Sequence, residues 1–165
     1  MAVMKIRSEF YCKEPTIGNI AQHVFMLNLD MIGRNPHKPV EAIGVGSAAG
    51  DMLSNICTEA MQSVGIDAVL KPMPELDGGD SDHSSFRAVG VPFMALFTGL
   101  HADYHRAIDH HNRINHSRIA KIAQAGLHIV KLIADAEHRL QFANTRTRAI
   151  LRRRKLASIS SRSIS

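Results

Sequence analysis

The chain has 165 residues, 45% of them apolar and 21% charged, which is the balance of one globular domain with one core. No apolar run approaches the roughly 18 residues of a membrane-spanning helix, and the opening stretch Met1-Ala2-Val3-Met4-Lys5-Ile6-Arg7 has no apolar signal core, so export is not expected from it. The net charge of +5 is uneven: residues 141–165 hold seven of the 20 basic side chains and none of the 15 acidic ones, leaving residues 1–140 at a formal −2.

Residues 1–23 read as irregular, because Pro15 and Gly18 interrupt any periodic pattern. Residues 24–33 form a nearly continuous apolar run, as expected of a strand covered on both faces, with Asp30 near its C-terminal end. Residues 41–45 are a second short strand. Gly46-Ser47-Ala48-Ala49-Gly50 lacks the spacing of either a P-loop or a dinucleotide-binding loop and reads as a strand–helix turn. Asp51 is placed to cap a helix from 52 to about 64, with Leu53, Ile56, Cys57, Ala60, Met61 and Val64 at helical spacing. Residues 66–71 alternate like a strand, and the Pro- and Gly-rich stretch 72–79 is a loop. A short helix follows over 82–89, then a buried strand over 91–97. Ser117 is placed to cap a long helix from 118 to about 139, with Ile119, Ile122, Ala123, Gly126, Leu127, Val130, Leu132 and Ile133 as its apolar side. The order β-β-α-β-α-β-α predicts an α/β fold, a mostly parallel or mixed sheet between helix layers in a three-layer α/β/α arrangement. The domain is expected over residues 1–140, followed by a basic, Ser-rich, disordered tail over 141–165.

The chemistry concentrates in residues 80–115. Six of the ten histidines lie from His83 to His116, several acids lie among them, and imidazole and carboxylate are the donors that zinc takes. Asp30 ends an apolar strand, so its carboxylate has to be paired, hydrogen-bonded or bound to a cation; capping of local backbone amides is the alternative. In an open α/β sheet, ligands collect beyond the carboxyl ends of strands. Tyr104-His105 follows the strand at 91–97 and therefore leaves at the same end as Asp30. The imidazole is suited to metal and the phenol to a developing oxyanion. Asp103 and Asp109 flank His105 and are placed to fix its tautomer. His101, His110, His111 and His116 show no helical ligand spacing, and His23, His37, His128 and His138 read as structural or exposed. The eight methionines are scattered and read as core filler; Cys12 and Cys57 read as free thiols or core filler.

Three motifs occur in order: Asn28-Leu29-Asp30-Met31-Ile32-Gly33-Arg34, Ser81-Asp82-His83-Ser84-Ser85-Phe86, and Phe97-Thr98-Gly99-Leu100-His101-Ala102-Asp103-Tyr104-His105. Together they resemble the M28 family of zinc metallopeptidases, the two-zinc aminopeptidases and their relatives, from about residue 8 to about 135. The resemblance implies that Asp30 ligates one zinc, that His105 ligates the other, and that Tyr104 steadies the tetrahedral intermediate. Asp82 and His83 then fall with Asp103 and Asp109 at the substrate pocket or behind the ligands. Ala107 stands where proline is frequent, and Asp109-His110 where Asp-Thr is common.

The family also draws a His, a bridging Asp and a Glu, plus a Glu general base, from a His-x-Asp segment and a Glu-Glu pair upstream. Neither occurs before Asp30, where Glu9 and Glu14 are isolated. The resemblance therefore implies an incomplete zinc-exopeptidase-like domain with one protein ligand per zinc, against the three typical of catalytic sites. Weak metal binding and little activity are expected of the chain alone, with a peptide as substrate when the upstream half is supplied. Two other readings follow: a non-catalytic module that associates, including with itself, through an uncovered sheet, or nucleic-acid association through the basic tail, for which a solvated end is the favoured reading. Family members are often exported.

Overall fold

The computed structural model describes residues 3–73 and 81–143. The loop residues expected at 74–79, Asp80, and residues 144–165 of the basic tail lie outside the described residues. Four strands form one sheet: β1 (Met26–Asp30), β2 (Val40–Ile43), β3 (Ala68–Lys71) and β4 (Phe93–Phe97). Their spatial order is β1-β4-β2-β3. β1 runs parallel to β4 and β2 parallel to β3, while β2 and β4 are antiparallel, so the sheet is mixed. The helices are α1 (Val3–Lys13), α2 (Met52–Ser63), α3 (His83–Ala88) and α4 (His116–Ala134).

The period-two alternation of strands decides which side chains meet which helices. Met94 and Leu96 of β4 join Val40 and Ala42 of β2 in the main core, where α2 contributes Leu53, Ile56, Cys57, Ala60 and Met61 and α4 contributes Ile122, Ala125, Ile129 and Ile133. Leu27 and Leu29 of β1 face Gly126 of α4; a Cβ on that glycine would lie 3.2 Å from Leu27 Cδ2, so the helix sits close against the strand. On the opposite face, Phe93 stacks on His83 of α3, with ring centroids 5.1 Å apart. The turn after β2 is fastened to β4 by Ser47, whose hydroxyl donates to Phe93 O (2.7 Å) and accepts from Phe93 N (2.8 Å). This is the expected strand–helix turn.

Several expectations are corrected. Residues 3–13, read as irregular, are helical. The reason is tertiary: α1 packs on α3 through Cys12, which is buried, a Ser8–Ser85 hydroxyl pair (2.9 Å) and Tyr11, which lies against Phe86. The run containing β1 is not covered throughout. Each residue of the strand keeps partial exposure, with Leu29 at 40%, because β1 pairs with β4 alone and its other edge has no strand partner among the described residues. Asp51 occupies the N-cap position of α2 without a side-chain capping bond. The cap of α4 is Asn115, whose side chain accepts from Arg118 N (3.0 Å), so the helix begins before Ser117; it ends at Ala134, short of 139. The folded part also passes the expected boundary at 140: Ala49 N donates to Gln141 O (2.9 Å), Ala143 N donates to Ser47 O (2.8 Å), and Leu140 and Ala143 are buried. Cys12 and Cys57 are free and buried.

Candidate metal centre

β1 and β4 are parallel, with Asp30 in register with Phe97, so both strands end at one side of the sheet. The two segments that leave there are bound to each other along their length. Thr98 Oγ1 donates to Met31 O. Asn35 Nδ2 donates to Thr98 O and Gly99 O (both 2.9 Å) and to Leu100 O (3.1 Å). Asn115 N donates to Gly33 O (2.9 Å), and the Arg118 guanidinium donates to Pro36 O and Lys38 O. The segment that follows Asp30 is thus the support for the segment that carries His105.

Asp30 is half-buried, and its Oδ2 accepts from Ser81 Oγ (2.8 Å); the local-backbone cap considered above is not what it makes. Ser81 in turn accepts from Asn28 Nδ2 (2.7 Å), which also lies 3.3 Å from His83 Nδ1. Asn28 and Asp30 are two residues apart on one strand and so share a face. A hydroxyl that donates to one carboxylate oxygen orients the group and leaves the other oxygen open. His83, buried against Phe93, lies behind this chain of groups. Asp82 lies on the α1 side, in a groove with Arg7, Ser8, Tyr11, Met26 and Phe86.

The loop after β4 alternates between anchoring and exposure. Asp103 is buried; Tyr104 and His105 are exposed, their rings stacked with centroids 3.9 Å apart. His105 has φ +57 and Met31, next to Asp30, φ +53. Side chains with a Cβ rarely adopt that conformation, and such residues concentrate at functional sites. Asp103 Oδ2 accepts from Arg34 and from Arg113 Nη1 (2.8 Å), and Asp109 Oδ1 accepts from Arg34. The Arg34 hydrogen bond, against the opposing effect of burial, and then Arg113 hold the Asp103 carboxyl below its ordinary range. The two acids expected to fix the His105 tautomer are therefore directed at arginines.

His101, Asp103 and Asp109 bring one donor atom each within 4.8 Å of one another. Both carboxylates are already paired with guanidinium groups, so this is an ion-pair cluster with an imidazole beside it. Asp30 and His105 have the donor chemistry that zinc takes: Asp30 keeps one oxygen without a partner among the described residues, and His105 is exposed.

Residues 6–130 match the model of the Peptidase family M28. The chain belongs to family M28. Three solved structures with a similar fold are aminopeptidases. LapA aminopeptidase from Legionella pneumophila aligns with a TM-score of 0.60 at 13% identity, covering 79% of this chain and 36% of that one. The aminopeptidase from Aneurinibacillus sp. strain AM-1 gives 0.62 at 17%, covering 84% and 31%. BSAP, a zinc aminopeptidase from Bacillus subtilis, gives 0.60 at 17%, covering 84% and 36%. The M28 chain described here thus spans about a third of the length of each. No curated protein matches the sequence. At these identities the structural likeness establishes the fold alone, an α/β domain that matches part of each aminopeptidase chain.

The residues that sequence reasoning left without a role are Asn28, Arg34, Asn35, Ser81 and Arg113. Asn28 carried a signal: a polar residue two before Asp30 in an apolar strand shares its face. Arg34, Asn35 and Arg113 carried none, because their partners lie 10 to 75 residues away.

Proposed function

We propose that this chain is the C-terminal part of an aminopeptidase-type M28 zinc peptidase, with Asp30 and His105 as ligands of different zincs. The observation that supports the reading best is the Asp30–Phe97 register, which sets the Asp30 strand end beside the exit of the loop bearing His105. Zinc, when bound, supplies Lewis acidity toward a scissile carbonyl and lowers the pKa of a coordinated water. The protein's own groups do the rest. Ser81 orients Asp30, and Asn28 orients Ser81. Tyr104, whose ring is fixed against His105, offers its phenol O–H to a developing oxyanion. The groove lined by Asp82 lies on the α1 side of β1, with peptide as the class of substrate.

One ligand per zinc binds weakly, so the remaining donors and the general base have to come from another polypeptide segment. The purified chain is expected to hold little zinc and to give no turnover of an aminoacyl-nitroanilide. In a zinc titration followed by NMR, the His105 ring signals should move, with an affinity in the range of a single imidazole. Two tightly held zincs with turnover would overturn the one-ligand account. A His105 ring that ignores zinc would overturn its assignment as a ligand.

A second reading is favoured by the edge of the sheet. Among the described residues β1 has one neighbouring strand, and Leu29, Leu127 and Val130 stay 40%, 71% and 43% exposed close to it. An unpaired strand beside apolar surface is suited to association with a second polypeptide, including another copy of the chain. Sedimentation analysis over a concentration series separates the two: a monomer throughout would remove the self-association reading. No helix among the described residues is long and apolar enough to cross a membrane.

A further inference from the structure

We infer that Arg34 is a positioning residue: it fixes the Tyr104–His105 segment and keeps Asp103 and Asp109 out of metal coordination. The inference rests in part on the proposed role of His105. Four residues after Asp30, Arg34 sends Nη2 to Asp103 and Nη1 to Asp109, acids that bracket Tyr104 and His105. Its side chain is 16% exposed and that of Asp103 is 8% exposed, so water is largely excluded from this pair and its directionality counts. Arg113 Nη1 donates to the same Asp103 oxygen, Oδ2 (2.8 Å), and completes the charge balance of the cluster. The backbone turns that shape the segment are short, Tyr104 N to His101 O (3.1 Å), Arg106 N to Asp103 O (2.9 Å) and Asp109 N to Arg106 O (3.1 Å). Such turns are weak by themselves, and His105 sits among them at φ +57. A guanidinium fork holding both ends of the segment is what makes that conformation persist.

The second half of the inference follows from the same contacts. The side chain of His101 is 8% exposed, its Nδ1 is buried with no hydrogen-bond partner, and its Nε2 lies 3.7 Å from Asp109 Oδ2. With Asp103 and Asp109 it forms a carboxylate–carboxylate–imidazole set within 4.8 Å, to which a divalent cation would be attracted if no arginine stood there. Arg34 holds Asp109 and shares Asp103 with Arg113, and so directs metal to the exposed imidazole of His105.

The test uses the full chain with Arg34→Ala and Arg34→Lys, read by amide hydrogen exchange and by zinc titration of the histidine ring signals. In Arg34→Ala the amides of Tyr104, Arg106 and Asp109 should exchange at least about tenfold faster while those of α2 and β4 keep their protection. Millimolar guanidinium should restore the slow rates. Zinc should then move the His101 ring, which it leaves untouched in the parent. Arg34→Lys keeps the charge without the fork and should lie between; it takes over the test if the alanine variant loses protection in β4. Unchanged exchange in the segment, or faster exchange that guanidinium does not reverse, would overturn the positioning role. A His101 ring silent to zinc in both variants would overturn the exclusion of metal. If zinc moves no ring in the parent, the ligand role of His105 fails, and the exchange data still judge Arg34.

Discussion

Asn35 offers a quantitative test of how the segments that follow β1 and β4 are joined. It sits at φ +51 and points one amide nitrogen at three successive carbonyls, those of Thr98, Gly99 and Leu100. An amide nitrogen carries two hydrogens, so two hydrogen bonds are made at a time, and the exposed Leu100 carbonyl has water as an alternative. Asn35→Ala removes both bonds, at about 1 kcal/mol each, and places an alanine in the left-handed region, at about 1 kcal/mol more. The total is about 3 kcal/mol, which for a urea m-value of about 2 kcal/mol per molar lowers the unfolding midpoint by about 1.5 M. Asn35→Gly loses the same bonds without the backbone cost, so it should be about 1 kcal/mol more stable than the alanine variant. Asn35→Asp tolerates the backbone but turns an anion toward three carbonyl oxygens, and should be less stable than Asn35→Gly. Urea unfolding of the four proteins, followed by circular dichroism, gives the order directly. An alanine variant as stable as the parent, or a glycine variant less stable than the alanine variant, would refute the reasoning.

Two further outcomes concern titratable groups. The Asp103 carboxyl is held below its ordinary range, chiefly by Arg34, so its stabilising contribution is fully present at neutral pH. It is lost as pH falls through the lowered folded value, beneath the usual carboxylate pKa. The stability difference between the parent and Asp103→Asn should therefore shrink on acidification toward pH 3, as read by thermal melts; a constant difference would count against the pairing. Cys57 is fully buried and its thiol is pushed up to about 11, and Cys12 is raised as well. Both thiols should resist a disulfide reagent at pH 8 and react once the chain is unfolded in guanidinium; rapid labelling of Cys57 in the folded chain would contradict its placement.

The sequence by itself determined the periodic elements and the family. The helical spacing of Leu53, Ile56, Cys57, Ala60 and Met61 places α2, because that period builds one face whatever covers it. The three motifs around Asp30, Ser81 and His105 lead to family M28, which the match over residues 6–130 bears out. Asp30 and Thr98 were legible as the ends of strands facing one way, since strand direction and chain order leave few other arrangements.

Tertiary structure decided what depends on contacts between distant residues. α1 has a weak helical pattern and is held by Ser85 and Phe86 of α3. β1 looks like a covered strand from its composition, but coverage is a property of neighbours, and among the described residues it has one strand beside it. The same reason hid Arg34, Asn35 and Ser81: a polar side chain in a loop is chemically ordinary until folding brings an acid or a row of carbonyls to it. Periodicity is local and can be read along the chain, whereas the partner of a charged or amide group is fixed by the fold, because hydrogen bonds and ion pairs act over a few ångströms in space and carry no trace in the intervening residues.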